Sequence, residues 1–202
     1  MKKGIMQVPA GVSNRHVHLS QEDLEKLFGA GYELTKLKDL SQQGEFAARE
    51  TVSVIGPKGI IEGVRILGPV RKETQVEISR TDGFRLGIDA PVRQSGHLEG
   101  TPGCLLVGPK GVAVLEKGVI VAAIHIHMSP SDAQKANLKD GDKVTVFIGG
   151  QRPVTFHEVL VRVHPRFRLE LHLDTDEANA AWLNNGDKVW MVKDQQSLSM
   201  VG

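Results

Sequence analysis

Two His-x-His pairs give this sequence its clearest chemistry. His16 and His18 form the first pair and His125 and His127 the second, so the pairs contain four of the eight histidines in the chain. In a β-strand the side chains of residues i and i+2 project from the same face, which brings the two imidazoles of a pair together. Two imidazoles can bind one metal ion at about 2.0–2.1 Å each. The spacing therefore predicts two metal sites, each built on one strand.

The two pairs lie in a longer internal repeat. The motif His-x-His-x-Ser-x-x-Asp occurs at residues 16–23 and again at residues 125–132. Serine is a favoured N-cap residue, and an aspartate three positions later lies in the first helical turn. Each copy therefore predicts a strand followed by a short capped helix. Because common turn chemistry does not explain a repeated His-x-His, the repeat favours metal binding.

Each pair needs a further ligand, and two other strand segments offer one. Glu77 and His172 each lie between two aliphatic residues. We expect Glu77 to complete the first site and His172 the second. The alternative for each is an ordinary strand position, and for Glu77 the pattern alone favours a solvent-facing one. Three protein ligands leave a coordination position open, which is typical of a catalytic ion.

Short strands are the elements that must position these residues. Alternating or β-branched segments occur at 52–55, 64–67, 76–78, 144–147 and 169–173, with Gly- and Pro-containing turns between them. Helices are expected after Ser20, after Ser129 and over 175–183. Many short strands with few helices predict a mainly β fold built from small closed barrels.

Composition and charge exclude several classes of protein. The chain has 202 residues, 25 Lys plus Arg and 24 Asp plus Glu, which leaves a net charge of +1 and no basic excess for nucleic acid or an anionic membrane. The longest apolar run, residues 119–124, is too short to cross a bilayer. The single cysteine, Cys104, excludes an internal disulfide and a structural thiolate zinc site. We expect an intracellular protein with neither a nucleic-acid nor a membrane partner.

Four motifs in order resemble the PduL-type phosphate acyltransferases (phosphate propanoyltransferases). They are VSNRHVHLS at 12–20, GPVR at 68–71, IHIHMSP at 124–130 and ELHLDTDEAN at 170–179. The resemblance extends from about residue 12 to residue 192. It implies an enzyme that converts acyl-CoA and phosphate into acyl phosphate and CoA, and catalyses the reverse reaction. The acyl-CoA would be acetyl-CoA or propanoyl-CoA.

The resemblance also implies a fold and a set of site residues. Two small β-barrels capped by short α-helices would hold a dinuclear zinc site between them. One barrel would contain residues 5–14 and 123–193. The other would contain residues 15–122, with a small insertion near 29–49. One zinc near the CoA sulfur would be bound by His16, His18 and Glu77. A second would be bound by His125, His127 and His172. Arg71 would bind phosphate. The residues matching the family's CoA contacts are Val12, Ser13, Asn14, Lys58, Arg65 and Asn179.

These residue types fit a direct attack of phosphate on the thioester carbonyl. A metal-bound thiol is deprotonated, and an arginine fork suits a phosphate dianion. Cys104 heads an apolar segment and is expected to be a buried small hydrophobic residue rather than a nucleophile. Lys58 and Arg65 have a solvated surface role as an equal alternative to CoA binding. No catalytic role is expected for the histidines outside the pairs and the third-ligand position, which are His97, His157 and His164.

Two other functions stay open at this point. A zinc-dependent acyl or thioester hydrolase would need the same ligands but not Arg71, and a non-catalytic metal-binding protein would have a closed coordination shell. A homodimer is the default expectation. Only eleven residues precede Val12, and Gly4 and Pro9 interrupt any helical period there. We therefore expect that this segment does not act as the amphipathic extension that targets family members to bacterial microcompartments, and that the protein is cytoplasmic.

Overall fold

The computed structural model describes residues 5–193, and within this range the fold is mainly β. In chain order the elements are β1 (Ile5–Ser13), β2 (His16–His18), α1 (Gln21–Phe28), β3 (Lys36–Asp39), β4 (Phe46–Ile55), β5 (Ile60–Gly68), β6 (Gln75–Glu77), α2 (Arg80–Leu86), β7 (Val92–Arg93), β8 (Cys104–Val107), β9 (Val112–Leu115), β10 (Val119–Ala122), β11 (His125–Met128), α3 (Pro130–Ala136), β12 (Lys143–Ile148), β13 (Val154–Val163), β14 (Glu170–Asp174), α4 (Thr175–Ala181) and β15 (Lys188–Val192).

The chain divides into two compact units. Unit 1 contains the described residues up to Ser13 and those from Ile124 onward, and unit 2 spans Asn14–Ala123. Unit 1 is a closed barrel with the strand order β1-β14-β11-β13-β12-β15. The N-terminal strand β1 closes the ring because it pairs in parallel with β14 and antiparallel with β15. The first nine described residues thus complete a barrel whose other strands come from the C-terminal part of the chain.

Unit 2 is a nine-stranded sheet with the path β7-β10-β6-β2-β5-β4-β8-β9, and β3 pairs with β4 at its side. The predicted mainly β class with short helices is confirmed. The described pairing in unit 2 does not close into a ring, because the path ends at the two-residue strand β7 and at β9. Each unit has its own aliphatic core, one around Leu27, Ile66 and Leu106 and the other around Ile126, Val146 and Leu171.

The repeated motif produces two matching helix starts. Ser20 and Ser129 have nearly identical backbone angles (φ −73°, ψ 160° and φ −72°, ψ 160°), and each side chain accepts a hydrogen bond from the N–H of the aspartate three residues later. Both helices begin where the repeat predicts. The helix expected over 175–183 ends two residues early, since Trp182 adopts a left-handed conformation at φ 55°.

One helix was not expected from the sequence. Helix α2 begins with a reciprocal capping box in which Ser79 and Asp82 bond each other's backbone N–H groups. No described helix has the length and apolar character that crossing a membrane requires. Of the N-terminal segment considered above, Pro9 lies in β1, and Gly4 lies outside the described residues.

The capping box of α4 gives a pH-dependent stability. Asp174 and Glu177 bond each other's backbone N–H groups at 2.9 Å. Burial, supported by the charges of Asp174 and Asp176, raises the pKa of the Glu177 carboxyl group to about 7. A carboxyl group with a raised pKa in the folded protein stabilises it below the unfolded pKa, and this contribution is lost as the pH rises through about 7.

We predict that Glu177→Gln removes this pH dependence. The amide oxygen still accepts the Asp174 N–H bond, but glutamine does not ionise. Wild type should therefore lose stability between pH 5 and pH 8 that the variant keeps. The difference in free energy of unfolding, variant minus wild type, should increase by on the order of 1 kcal/mol over this range. Urea denaturation at both pH values measures this difference. Parallel pH dependences for the two proteins would contradict the assignment.

Candidate metal centres

Unit 2 brings three of the expected metal ligands together through strand pairing. Strand β2 pairs antiparallel with β6, and His16 lies directly opposite Glu77. Glu77 Oε2 lies 3.5 Å from His16 Nε2, and Glu77 Oε1 lies 3.8 Å from His18 Nε2. One ligand atom from each residue falls within 4.8 Å of the other two. His16, His18 and Glu77 are called the unit 2 cluster below.

A backbone carbonyl orients the first of these imidazoles. His16 Nδ1 lies 2.8 Å from the carbonyl oxygen of Asn14, so the ring donates its Nδ1–H there and turns an unprotonated Nε2 toward Glu77. This tautomer is the one that a metal ion needs. Both histidines are buried, with 7% of His16 and 3% of His18 exposed.

The electrostatics of the unit 2 cluster favour an ionised Glu77 and a neutral His18. Burial alone would raise the pKa of Glu77, but His16, His18 and Arg71 outweigh it and hold that pKa well below its usual range. Burial, with the charges of His16 and Arg71, also keeps the pKa of His18 well below its usual value. Burial opposes a charge on His16 as well, but Glu77 outweighs it and raises the pKa of His16. The cluster thus offers an ionised carboxylate and a neutral imidazole, which are the ligand forms that bind metal.

Arg71 lies beside the unit 2 cluster, close enough for its charge to favour the lower pKa values of His18 and Glu77 and to oppose the raised pKa of His16. Its backbone N–H donates to the carbonyl of Leu19 at 2.8 Å, which fastens it next to the end of β2. Its guanidinium donates to Ser95 Oγ at 3.0 Å and lies 3.7 Å from Glu45 Oε1. One third of the side chain is exposed. A cation held in this way beside a candidate metal centre is accessible to an anionic ligand.

Unit 1 builds a second cluster in the same way. Strand β11 pairs antiparallel with β14, and His125 lies directly opposite His172. The His125 and His172 rings stack with centroids 5.0 Å apart, and the His127 ring lies 4.4 Å from that of His172. One ligand nitrogen from each of the three residues falls within 4.8 Å of the other two. His125, His127 and His172 are called the unit 1 cluster below.

His127 shows that the unit 1 cluster fits a metal ion. Both of its ring nitrogens are buried, and neither has a hydrogen-bond partner among the described residues. The ring instead stacks on Phe167, with centroids 3.8 Å apart. Burial, with the nearby His172, His125 and Arg162, lowers the pKa of His127 to about 2, so the imidazole is neutral. A buried neutral imidazole without partners is costly, and a metal ion would satisfy its unprotonated nitrogen.

The expected CoA contacts in unit 1 lie near the end of β1 and in α4. Val12 and Ser13 pair with Leu173 and Asp174 at the end of β14. The backbone N–H of Val12 donates to Asn185 Oδ1 at 2.6 Å. Asn179 lies in the exposed part of α4, the helix that follows β14 directly.

The expected CoA contacts in unit 2 lie at separate places. Arg65 lies opposite His16 in the parallel pair of β2 and β5, and its guanidinium donates to the carbonyls of Ala48 and Arg49 at 3.0 and 2.7 Å. Lys58 lies in the turn before β5 and lines a pocket with residues of α2. Asn14, the third residue, accepts the Arg15 N–H with its side-chain oxygen at 2.8 Å and provides the backbone carbonyl that orients His16.

Sequence reasoning missed two polar residues that bond the carboxylate of the unit 2 cluster. Gln75 and Ser95 both bond Glu77 Oε1, at 2.5 and 3.3 Å. Gln75 is two residues from Glu77 and therefore on the same strand face, which was an available signal. Ser95 comes from a Gly-containing loop, and no pattern in the sequence connects that loop to the cluster. His97 in the same loop is exposed.

Cys104 lies outside both clusters. It is 9% exposed and belongs to the aliphatic core of unit 2. Burial raises the pKa of its thiol to about 12, so it is not a thiolate near neutral pH.

Comparisons with known proteins agree on one family. The family model for phosphate propanoyltransferase matches residues 9–184. A phosphate propanoyltransferase of Thermotoga maritima is 64% identical over 184 residues, which cover 91% of this chain and 88% of the relative. Phosphate propanoyltransferases of Lachnoclostridium phytofermentans and Rhodopseudomonas palustris are 55% and 53% identical, over 90% and 93% of this chain and 85% and 83% of the relatives.

We predict that each cluster binds one divalent ion independently. Metal-free wild-type protein titrated with Co²⁺ should bind two equivalents, and His127→Ala should retain one while the other site weakens at least about 100-fold. His97→Ala, an exposed histidine outside both clusters, is the matched control and should bind two. Two equivalents bound tightly by His127→Ala would exclude the unit 1 cluster as a metal centre.

Proposed function

The chain belongs to the phosphate propanoyltransferase family and is an acyltransferase, and we propose that it moves an acetyl or propanoyl group between CoA and inorganic phosphate at two zinc ions. The main structural support is the position of Arg71, a partly exposed cation fastened beside a buried His/His/Glu cluster. A metal centre without such a cation would serve a hydrolase equally well.

The two clusters are the proposed zinc ligands. His16, His18 and Glu77 would hold one ion, and His125, His127 and His172 would hold the other. Nitrogen and carboxylate oxygen ligands in sets of three fit zinc with a position open for exchange. When bound, zinc would supply positive charge that favours the thiolate form of CoA and stabilises negative charge on the thioester oxygen.

Arg71 would bind and orient the phosphate substrate. Its planar guanidinium can donate two parallel hydrogen bonds to a phosphate dianion and stays protonated throughout. The backbone bond to Leu19 and the side-chain bond to Ser95 limit its freedom before the substrate arrives. Part of the entropy cost of ordering a long side chain is therefore met in the folded protein.

The reaction proceeds by direct attack. A phosphate oxygen attacks the carbonyl carbon of acyl-CoA, the carbon–sulfur bond breaks, and the electron pair leaves with the CoA sulfur, so that acyl phosphate and CoA thiolate are formed. No residue of the protein carries the acyl group. The buried Cys104, with its thiol pKa raised to about 12, is unsuited to a covalent step.

Six residues complete the proposed substrate contacts. Those for CoA are Val12, Ser13, Asn14, Lys58, Arg65 and Asn179. The pairing of β1 with β14 supports the first two, because it holds Val12 and Ser13 at the end of the strand that carries His172. The homodimer and the cytoplasmic location expected from the sequence stay predictions.

We predict that Arg71→Ala raises the KM for phosphate about 100-fold, because a charge-assisted contact to the dianion is lost. The zinc content should stay at the wild-type level. Phosphorolysis of acetyl-CoA and propanoyl-CoA at varied phosphate concentration, together with metal analysis, measures both. Arg93→Ala, an exposed arginine on β7, is the matched control. Thioester cleavage by wild type that does not depend on phosphate would instead indicate a hydrolase.

We also predict that Cys104→Ala keeps its activity. Since the thiol packs in the core and does not react, kcat/KM should stay within about twofold of wild type while stability falls by about 1 kcal/mol. Steady-state kinetics and thermal denaturation measure these quantities. Loss of activity in a folded variant, or ping-pong kinetics in wild type, would point to an acyl-enzyme.

A further inference from the structure

A continuous hydrogen-bond network joins the carboxylate of the unit 2 cluster to Arg71. Gln75 Nε2 donates to Glu77 Oε1 at 2.5 Å and to Ser95 Oγ at 2.8 Å. Arg71 donates to the same Ser95 oxygen at 3.0 Å. The Gly96 N–H donates to Gln75 Oε1 at 2.7 Å, which fastens the loop that carries Ser95.

The Ser95 hydroxyl group has only one arrangement that satisfies this network. A hydroxyl group accepts two hydrogen bonds and donates one. Gln75 and Arg71 are pure donors at these atoms, so they occupy both acceptor positions of Ser95 Oγ. The remaining hydroxyl proton points to Glu77 Oε1 at 3.3 Å. Ser95 therefore connects a cation to a carboxylate with its hydroxyl orientation fixed.

The orientation of the Gln75 side-chain amide is also fixed by its hydrogen bonds. It is 1% exposed, both of its amide hydrogens have acceptors in Glu77 and Ser95, and its oxygen accepts the Gly96 N–H. Rotating the amide by 180° would place its oxygen against the Glu77 carboxylate and leave the Gly96 N–H facing a donor. Because Gln75 is buried, neither its misplaced amide oxygen nor the Gly96 N–H could form a hydrogen bond with water instead.

We propose that Gln75 and Ser95 are positioning residues that set the Glu77 carboxylate and the Arg71 guanidinium in one fixed relation. Gln75 holds Glu77 in the direction in which it binds the metal ion, and Ser95 holds Arg71 in the direction in which it binds phosphate. This inference rests on the proposed function for the role of Arg71 and on the chemistry of the ligand set for the role of Glu77. Neither residue is a metal ligand or a substrate contact in this assignment.

The two residues differ in what their loss should change. Ser95→Ala keeps the bond between Gln75 and Glu77 but removes the bond that Arg71 donates to Ser95. The KM for phosphate should therefore rise about tenfold, with kcat and the KM for acyl-CoA nearly unchanged. Gln75→Met removes the bond to Glu77, so the zinc affinity of the unit 2 cluster should fall about 10- to 100-fold. The second zinc equivalent should keep its wild-type affinity. Competition between metal-free protein and a chromophoric zinc chelator measures both affinities.

Matched variants separate positioning from a general structural effect. Ser95→Thr keeps the hydroxyl group and should have a KM for phosphate near the wild-type value. Ser95→Val has the same shape as Ser95→Thr but no hydroxyl group, so its KM for phosphate should rise as in Ser95→Ala. Ser53→Ala makes the same substitution in β4, opposite Val107, and should change neither quantity. Thermal denaturation verifies that each variant is folded.

The outcomes distinguish this inference from the proposed function. A phosphate KM unchanged in Ser95→Ala, or raised equally with the KM for acyl-CoA, overturns the role of Ser95. Two zinc equivalents of wild-type affinity in Gln75→Met overturn the role of Gln75. If wild type shows no phosphate-dependent acyl transfer, the proposed function and the Ser95 role both fail, while the zinc titration of Gln75→Met still decides the role of Gln75.

Discussion

The antiparallel pairing of each His-x-His strand with its neighbour is the constraint on which both candidate metal centres depend. It places His16 opposite Glu77 in one unit and His125 opposite His172 in the other. A shift of one residue in either register would move the third ligand to the opposite face of its sheet. The aliphatic residues between the ligands prevent this shift, because they would have to leave the core; Val17, for example, is fully buried.

The clusters also impose an electrostatic cost that the fold alone does not offset. Burying imidazoles and a carboxylate removes them from water, and burial is the largest influence on the pKa values of Glu77 and His127. In unit 2 the cost is reduced by Gln75, Ser95 and Arg71, which bond or face the carboxylate. In unit 1 neither ring nitrogen of the buried His127 has a hydrogen-bond partner among the described residues, and the ring stacks on Phe167. Such sites are typical of protein regions kept for binding rather than for stability.

One local arrangement recurs four times in the two units. Each strand that carries a ligand, namely β2, β6, β11 and β14, is followed within three residues by a short helix with a side-chain N-cap. The caps are Ser20, Ser79, Ser129 and Asp174. Because a capped helix start sets the direction in which the chain leaves the strand, the same device terminates each ligand strand just beyond its ligands. The remaining strands complete the cores that hold these four strands in register.

The sequence alone determined the features that depend on local patterns. The His-x-His spacing, the repeated capped helix starts and the mainly β class all follow from the periodicity of strands and from capping chemistry, which act within a few residues. Tertiary structure decided the rest. Only the pairing of distant strands places Glu77 opposite His16, and only a folded loop brings Ser95 to the carboxylate. The helix start at Ser79 was missed although its capping partner, Asp82, is only three residues away and was a local signal. The open sheet of unit 2 was not evident because sheet closure depends on pairing between strands far apart in the chain.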